Sequence, residues 1–181
     1  MAGYKGVGIV FIRRLVRERG DDVERQVLAA LNEAERTLYA VTPATAWVPI
    51  EFVTHLAMVA APLLYPDDPA PLDRLGRALA VDNMGGIYAF LVRVMTVEFI
   101  ARQSARLWST YHQQGEARTV DVGPHEVRFE VRGYQDIPRD FRRYARTFIQ
   151  QLVEMTGAKG VDCVSFDAAD HWGYRITFAS R

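Results

Sequence analysis

The chain has 181 residues, 49% of them hydrophobic and 24% charged, the size and balance of one folded domain that can bury most of its apolar surface. Its 22 basic and 22 acidic side chains cancel, so no overall field recruits nucleic acid or an anionic membrane. A single cysteine, Cys163, excludes an internal disulfide and any Cys-x-x-Cys metal or redox pair, and fits a protein of the reducing cytoplasm.

From Val7 to Arg19 the apolar residues Val7, Val10, Phe11, Leu15 and Val16 recur at helical spacing, and Gly20 closes this first helix. The run is too short and too interrupted by Arg13 and Arg14 for a membrane span. Asp21 and Asp22 open a second helix carrying Val23, Val27, Leu28, Leu31 and Ala34, expected to continue to about Tyr39–Thr42. Pro49 and Glu51 mark the start of a third, which runs to about Leu64 before the turn Tyr65-Pro66-Asp67-Asp68-Pro69-Ala70-Pro71. Leu72, Leu75, Leu79 and Ala80 carry a fourth, ending near Asn83. After Gly85-Gly86, the apolar run Ile87–Met95 reads as helix, and Thr96 caps one more, with Phe99, Ile100, Gln103 and Leu107 down one side.

After Leu107 the period changes to two. Trp108–Gln113 and Ala117–Val122, joined by a turn at Gln114-Gly115, read as a hairpin. His125–Arg132 alternates strictly, which puts Val127, Phe129 and Val131 on a buried face and Glu126, Arg128, Glu130 and Arg132 on a wet one. Pro138 opens a long helix whose apolar stripe includes Phe141, Tyr144, Ala145, Phe148, Ile149 and Leu152, and Gly157 stops it. Val161–Phe166 and Trp172–Phe178 form a closing hairpin. The expectation over residues 1–181 is a single α+β domain: a helical N-terminal half packed on an antiparallel sheet of about five strands, with one long helix inserted.

This order of elements resembles the superfamily that joins haem-nitric-oxide-binding domains, four-vinyl-reductase-type sensor domains and the small subunits of vesicle-tethering complexes. Lys5-Gly6, Leu64-Tyr65-Pro66, Leu75-Gly76-Arg77 and Leu107-Trp108 followed by Gly115-Glu116 are similar to an uncharacterised family with many paralogues in myxobacteria. The resemblance implies helices packed on one face of a sheet, an apolar ligand cavity in some members, and helix-mediated dimers. It does not imply haem here. The haem-binding relatives carry a Tyr-x-Ser-x-Arg motif, which this chain lacks, and its nearest fragment, Phe178-Ala179-Ser180-Arg181, has no tyrosine. One cysteine likewise cannot reproduce the metal site of the vinyl-reductase-type sensors, and no cofactor is expected.

Catalytic signatures are missing. The histidines His55, His112, His125 and His171 form no His-x-x-x-His or Glu-x-x-His pair. No Gly-x-Ser-x-Gly elbow, nucleotide fingerprint or phosphate loop occurs. The arginine row Arg139, Arg142, Arg143 and Arg146 reads as a solvated helix face or, functionally, as a grip for an acidic partner. Trp108, Tyr111 and His112 form an aromatic cluster in the expected first strand, where Tyr111 and His112 fall on opposite faces. The function that fits is a non-enzymatic sensory or signalling module binding a small apolar or aromatic ligand between helices and sheet, with His55, Trp108, Tyr111 and Tyr144 as its ligand-binding residues. A homodimer or a protein partner is the expected assembly. The rival is a ligand-free scaffold that dimerises or binds a partner through its helix faces.

Overall fold

The structure is a computed structural model and describes residues 3–84 and 95–179. In order, the described elements are β1 (Gly3–Lys5), α1 (Val7–Arg19), α2 (Asp21–Ala30), α3 (Glu33–Val41), β2 (Trp47–Pro49), α4 (Ile50–Leu64), α5 (Pro71–Asn83), α6 (Val97–Tyr111), β3 (Glu116–Gly123), β4 (Glu126–Arg132), α7 (Arg139–Met155), β5 (Asp162–Asp167) and β6 (His171–Thr177). The fold is α+β, as expected. The Gly85-Gly86 break and the helix expected from Ile87 lie outside the described residues, as does Ser180-Arg181.

Helices α4 and α5 begin and end close to where proline, carboxylate and periodicity place them. The second expected helix is instead two. Leu31 is extended, and Asn32 then caps α3, its side chain accepting from the Glu35 amide at 2.9 Å while the Glu35 carboxylate accepts from the Asn32 amide at 3.0 Å. This reciprocal capping box satisfies amides that a continuous helix would have bonded internally. At the far end of α3, Arg13 of α1 donates to the Tyr39 carbonyl at 2.6 Å and the Thr42 carbonyl at 3.1 Å, covering acceptors the helix leaves open.

Helix α6 corrects a larger part of the reading. Thr96 caps it as expected, accepting from the Phe99 amide at 3.2 Å, but the helix does not yield to a strand at Trp108. It continues to Tyr111, and the chain becomes extended only at His112 (φ −127°, ψ 137°). The β-favouring residues from Trp108 to Tyr111 are overruled because Val97, Ala101 and Trp108 bury one continuous helical face. The sheet therefore has four strands, β3-β4-β6-β5, all antiparallel. A separate ribbon pairs β1 with β2, Tyr4 opposite Val48.

The inner face of the sheet is the one expected, with Val127, Phe129, Val131, Trp172, Tyr174 and Ile176 buried and Cys163 joining them from β5. The wet face has one exception. Glu130 is buried, because Arg118 donates to it twice, at 2.9 and 2.7 Å, and His171 lies against it at 3.8 Å. Helix α7 crosses the inner face and packs closely on α5. Gly76 makes that approach feasible, since a Cβ there would lie 2.5 Å from the Tyr144 carbonyl oxygen. One apolar cluster runs from Ile9 and Ile12 of α1 through Leu56 and Leu75 to Phe129 and Trp172. No helix among the described residues is long and apolar enough to cross a membrane.

Candidate functional site

Where α5, α6 and α7 meet over the sheet they leave a cavity of about 300 Å³. Helix α5 contributes Leu79 and Asn83, with Met84 just past its end, and α6 contributes Gln103, Leu107, Trp108 and Tyr111, with His112 following. The stripe of α7 supplies Phe141, Tyr144, Ala145, Phe148, Ile149 and Leu152, while Phe129 of β4 and Tyr4 of β1 close the remaining sides. Among the described residues, no aspartate, glutamate, lysine or arginine lines it. Two further concavities, beside Arg13 and Arg14 and beside His125 and Phe178, lie open on the surface.

Two parts of the lining differ in chemistry. Leu152, Met84 and Phe148 of its lining pack with Ala80 and Ile100 in a small apolar cluster, and Asn83 and Gln103 add carboxamide side chains to the lining. The other part is an aromatic box around His112. The imidazole stacks on Trp108 with centroids 3.7 Å apart and planes 4° from parallel. The rings of Tyr4 and Phe141 meet it edgewise at 5.0 and 5.7 Å, and Tyr134 stands at 6.4 Å. Trp108 is itself fixed, its indole N–H donating to the Gln114 carbonyl at 2.9 Å.

Burial decides the charge state of this box. It pushes the His112 imidazole down from 6.5 to about 3, so the ring is neutral at physiological pH. It pushes the phenols of Tyr4 and Tyr144 upward, which keeps both protonated. Nδ1 of His112 and the hydroxyl of Tyr144 are buried with no hydrogen-bond partner. Such groups are uncommon in native interiors, because an unpaired buried donor or acceptor forfeits its full hydration.

Three of the four expected site residues meet here: Trp108, Tyr111 and Tyr144 all line the cavity. His55 does not. It sits on the outer side of α4, its Nδ1 2.8 Å from the Glu35 carboxylate and its side chain 45% exposed. The histidine in the cavity is His112, which the expected strand had turned away from Tyr111. Helical spacing was the missed signal: residues four apart on a helix share a face, so a helix reaching Tyr111 stacks His112 over Trp108.

Three arginines of the row, Arg142, Arg143 and Arg146, are held by the protein's own acceptors. Arg142 pairs with Asp167, donates to the Gln135 carbonyl at 3.1 Å and lies 4.5 Å over the Trp172 ring. Arg143 reaches Asp73 at 2.6 Å, and Arg146 reaches Asp73 at 3.4 Å and the Cys163 carbonyl at 3.0 Å. Cys163 is buried, and its thiol is pushed up to about 12 by that burial, so it is no thiolate nucleophile. No group of three potential metal ligands occurs among the described residues.

Solved structures share this architecture along nearly their whole length. An H-NOX protein from K. algicida, in the Fe(II) unliganded form, superposes with a TM-score of 0.64 over 98% of this chain and 97% of its own, at 10% identity. One from S. oneidensis, in the Fe(II)NO ligation state, gives 0.64 over 96% and 99% at 12% identity. A mutant of T. tengcongensis H-NOX gives 0.58 over 97% and 98% at 12% identity. The chain has an H-NOX-like fold. No protein-family model matches the sequence, and no curated protein matches it. At these identities the likeness is one of fold alone.

Proposed function

We propose that the protein is a non-enzymatic sensory or signalling module that binds a small apolar or aromatic ligand, without haem, in the cavity bounded by α5, α6, α7 and the sheet. The observation that carries this reading is the cavity itself: bounded by helices and sheet, walled by aromatic rings, and edged by a few neutral polar groups. The S. oneidensis H-NOX protein, which has the same architecture, is ligated by NO in its structure. The described lining sets no carboxylate or cation beside its one imidazole, and burial holds the phenols of Tyr4 and Tyr144 protonated, so it offers no acid-base pair. A cytoplasmic setting fits the single buried cysteine, and kinship with the myxobacterial paralogues is the reading we attach to the resemblance of Lys5-Gly6, Leu64-Tyr65-Pro66 and Leu75-Gly76-Arg77.

Haem does not fit the described lining. Haem iron takes an axial histidine nitrogen, a cysteine or methionine sulfur or a tyrosine phenolate, and burial keeps the phenols of Tyr4 and Tyr144 protonated. His112 lies flat on Trp108 and is boxed in by Tyr4 and Phe141. No described arginine or lysine borders the cavity to meet a propionate. Native mass spectrometry and solvent extraction of the purified protein, with an absorption spectrum after incubation with haem, test the reading. A copurifying apolar molecule and no Soret band are expected; a stable Soret band overturns the haem-free reading, and a protein that takes up no apolar molecule overturns the ligand-binding one.

The second reading, a scaffold that dimerises or binds a partner through helix faces, draws on Val81 and Phe99, which are 51% and 43% exposed on α5 and α6. Light scattering of the purified protein decides it: a dimer broken by Phe99→Glu with the fold intact supports an assembly face there, and a monomer at high concentration removes the homodimer.

A further inference from the structure

Resting on the reading of the cavity as a ligand site, we propose that its occupant is an uncharged aromatic molecule of about two fused rings with a single hydroxyl or N–H group, which hydrogen-bonds to the imidazole of His112. Size, charge and polarity each narrow the choice, and they rest on separate observations.

Size comes first. The cavity is about 300 Å³, where an apolar cavity of about 150 Å³ holds one benzene, so a body of roughly two rings fills it without forcing the helices apart. The shape of the walls favours a flat body. Trp108, Phe129, Phe141 and Phe148 present rings toward the space, and aromatic groups gain most from offset or edgewise contact with another ring.

Charge is the second restriction. The described lining has no side chain of either sign, and burial holds His112, Tyr4 and Tyr144 in their neutral forms. A carboxylate or an ammonium entering this space would lose its hydration with no counter-ion among the described residues to replace it. The cavity therefore discriminates against acyl anions, which separates it from a fatty-acid site of similar apolar character.

The polar group on the ligand follows from His112. A neutral imidazole carries one N–H and one acceptor nitrogen. Here the ring is stacked on Trp108, and Nδ1 is buried without a partner. A ligand O–H or N–H supplies the missing bond. The Tyr144 hydroxyl, also buried and unpartnered, is the second protein group at the same cavity that a polar substituent would satisfy. An entirely apolar ligand would fill the volume and leave both unsatisfied.

The test uses naphthalene, naphthol and naphthoate as probes on the full chain at neutral pH, followed by calorimetry and tryptophan fluorescence. Naphthol is expected to bind about tenfold tighter than naphthalene, the effect of one recovered hydrogen bond, and naphthoate is expected to show no saturable binding. In His112→Phe the advantage of naphthol over naphthalene disappears while naphthalene still binds, which also reports that the variant is folded; Tyr144→Phe provides a second variant that removes only one oxygen. Naphthoate binding as tightly as naphthol, or an undiminished naphthol preference in His112→Phe, overturns the proposal and leaves the cavity standing as a ligand site. Failure of all three probes, naphthalene included, overturns the ligand-site reading itself.

Discussion

The two faces of α7 solve the same problem in opposite ways. Its outer face carries Arg142, Arg143 and Arg146, charged groups that reach acceptors on α5, β5 and the loop before the helix. Its inner face carries Tyr144, a neutral group whose hydroxyl has no partner, at the same cavity as His112, whose Nδ1 has none either. Charge draws attention in a sequence, yet here the charged face reaches the protein's own acceptors with only the Arg142 Nε left over, while the neutral face leaves the Tyr144 hydroxyl unpaired beside the unpaired His112 Nδ1. A function is better sought where the protein leaves its own polar groups unpaired than where it is most highly charged.

Substitutions separate the faces, beginning with the seam that supports both. Gly76→Ala places a Cβ against the Tyr144 backbone and should destabilise the protein by about 3 kcal/mol, because a carbonyl in a helix cannot step aside. Chemical denaturation measures it, and a loss well under about 1 kcal/mol would show that α5 and α7 can separate freely.

The next effect belongs to the inner face. His112 titrates near 3 in the folded protein and near 6.5 when exposed. Between those values the unfolded chain binds the extra proton, so the stabilisation is complete above 6.5 and is lost as pH falls. The slope approaches about 1.4 kcal/mol per pH unit in that window. The rings around it, from Tyr4, Trp108, Tyr134 and Phe141, carry no charge that would offset this. Melts of His112→Phe and the parent from about pH 6.5 down to about pH 4.5 should diverge, and parallel curves would mean that His112 is accessible to protons.

On the outer face Asp73→Ala removes the carboxylate shared by Arg143 and Arg146. Both pairs are partly exposed, so the expected cost is about 1 kcal/mol and should shrink in high salt. A larger, salt-independent loss would mean that the arginines are more deeply desolvated than their neighbours indicate. Smallest of all, Tyr144→Phe deletes an unpaired hydroxyl and should leave the ligand-free protein within about 1 kcal/mol of the parent, on the stabilising side. A marked loss there would show that the hydroxyl already has a partner, and the contrast between the two faces would fail.

Much of the framework was legible without coordinates. Pro49 and Glu51, the Thr96 cap, the β4 alternation and Gly157 all act within a few residues, and α4, the start of α6, β4 and the end of α7 fall where these local signals put them. The Asn32–Glu35 capping box was equally local and readable, but the apolar stripe across it looked continuous. The cavity lining was legible in part. Trp108, Tyr111 and Tyr144 line it, whereas His55 lies outside it and His112 stands in the lining instead. Each histidine has apolar neighbours in sequence, and nothing within four residues says that one will find Glu35 and the other Tyr4 and Phe141.

By itself, then, the sequence determined the α+β class, the helical stripes, the inner face of the sheet and the absence of any catalytic signature, because periodicity and capping are short-range properties. Tertiary structure decided three things. It kept α6 helical through Trp108, since a buried face outweighs β-propensity. It joined β1 to β2 across the whole of α1, α2 and α3, for which no local pattern codes. It also left a neutral histidine without a partner beside a cavity, since whether a polar group is satisfied depends on the distant segments that close around it.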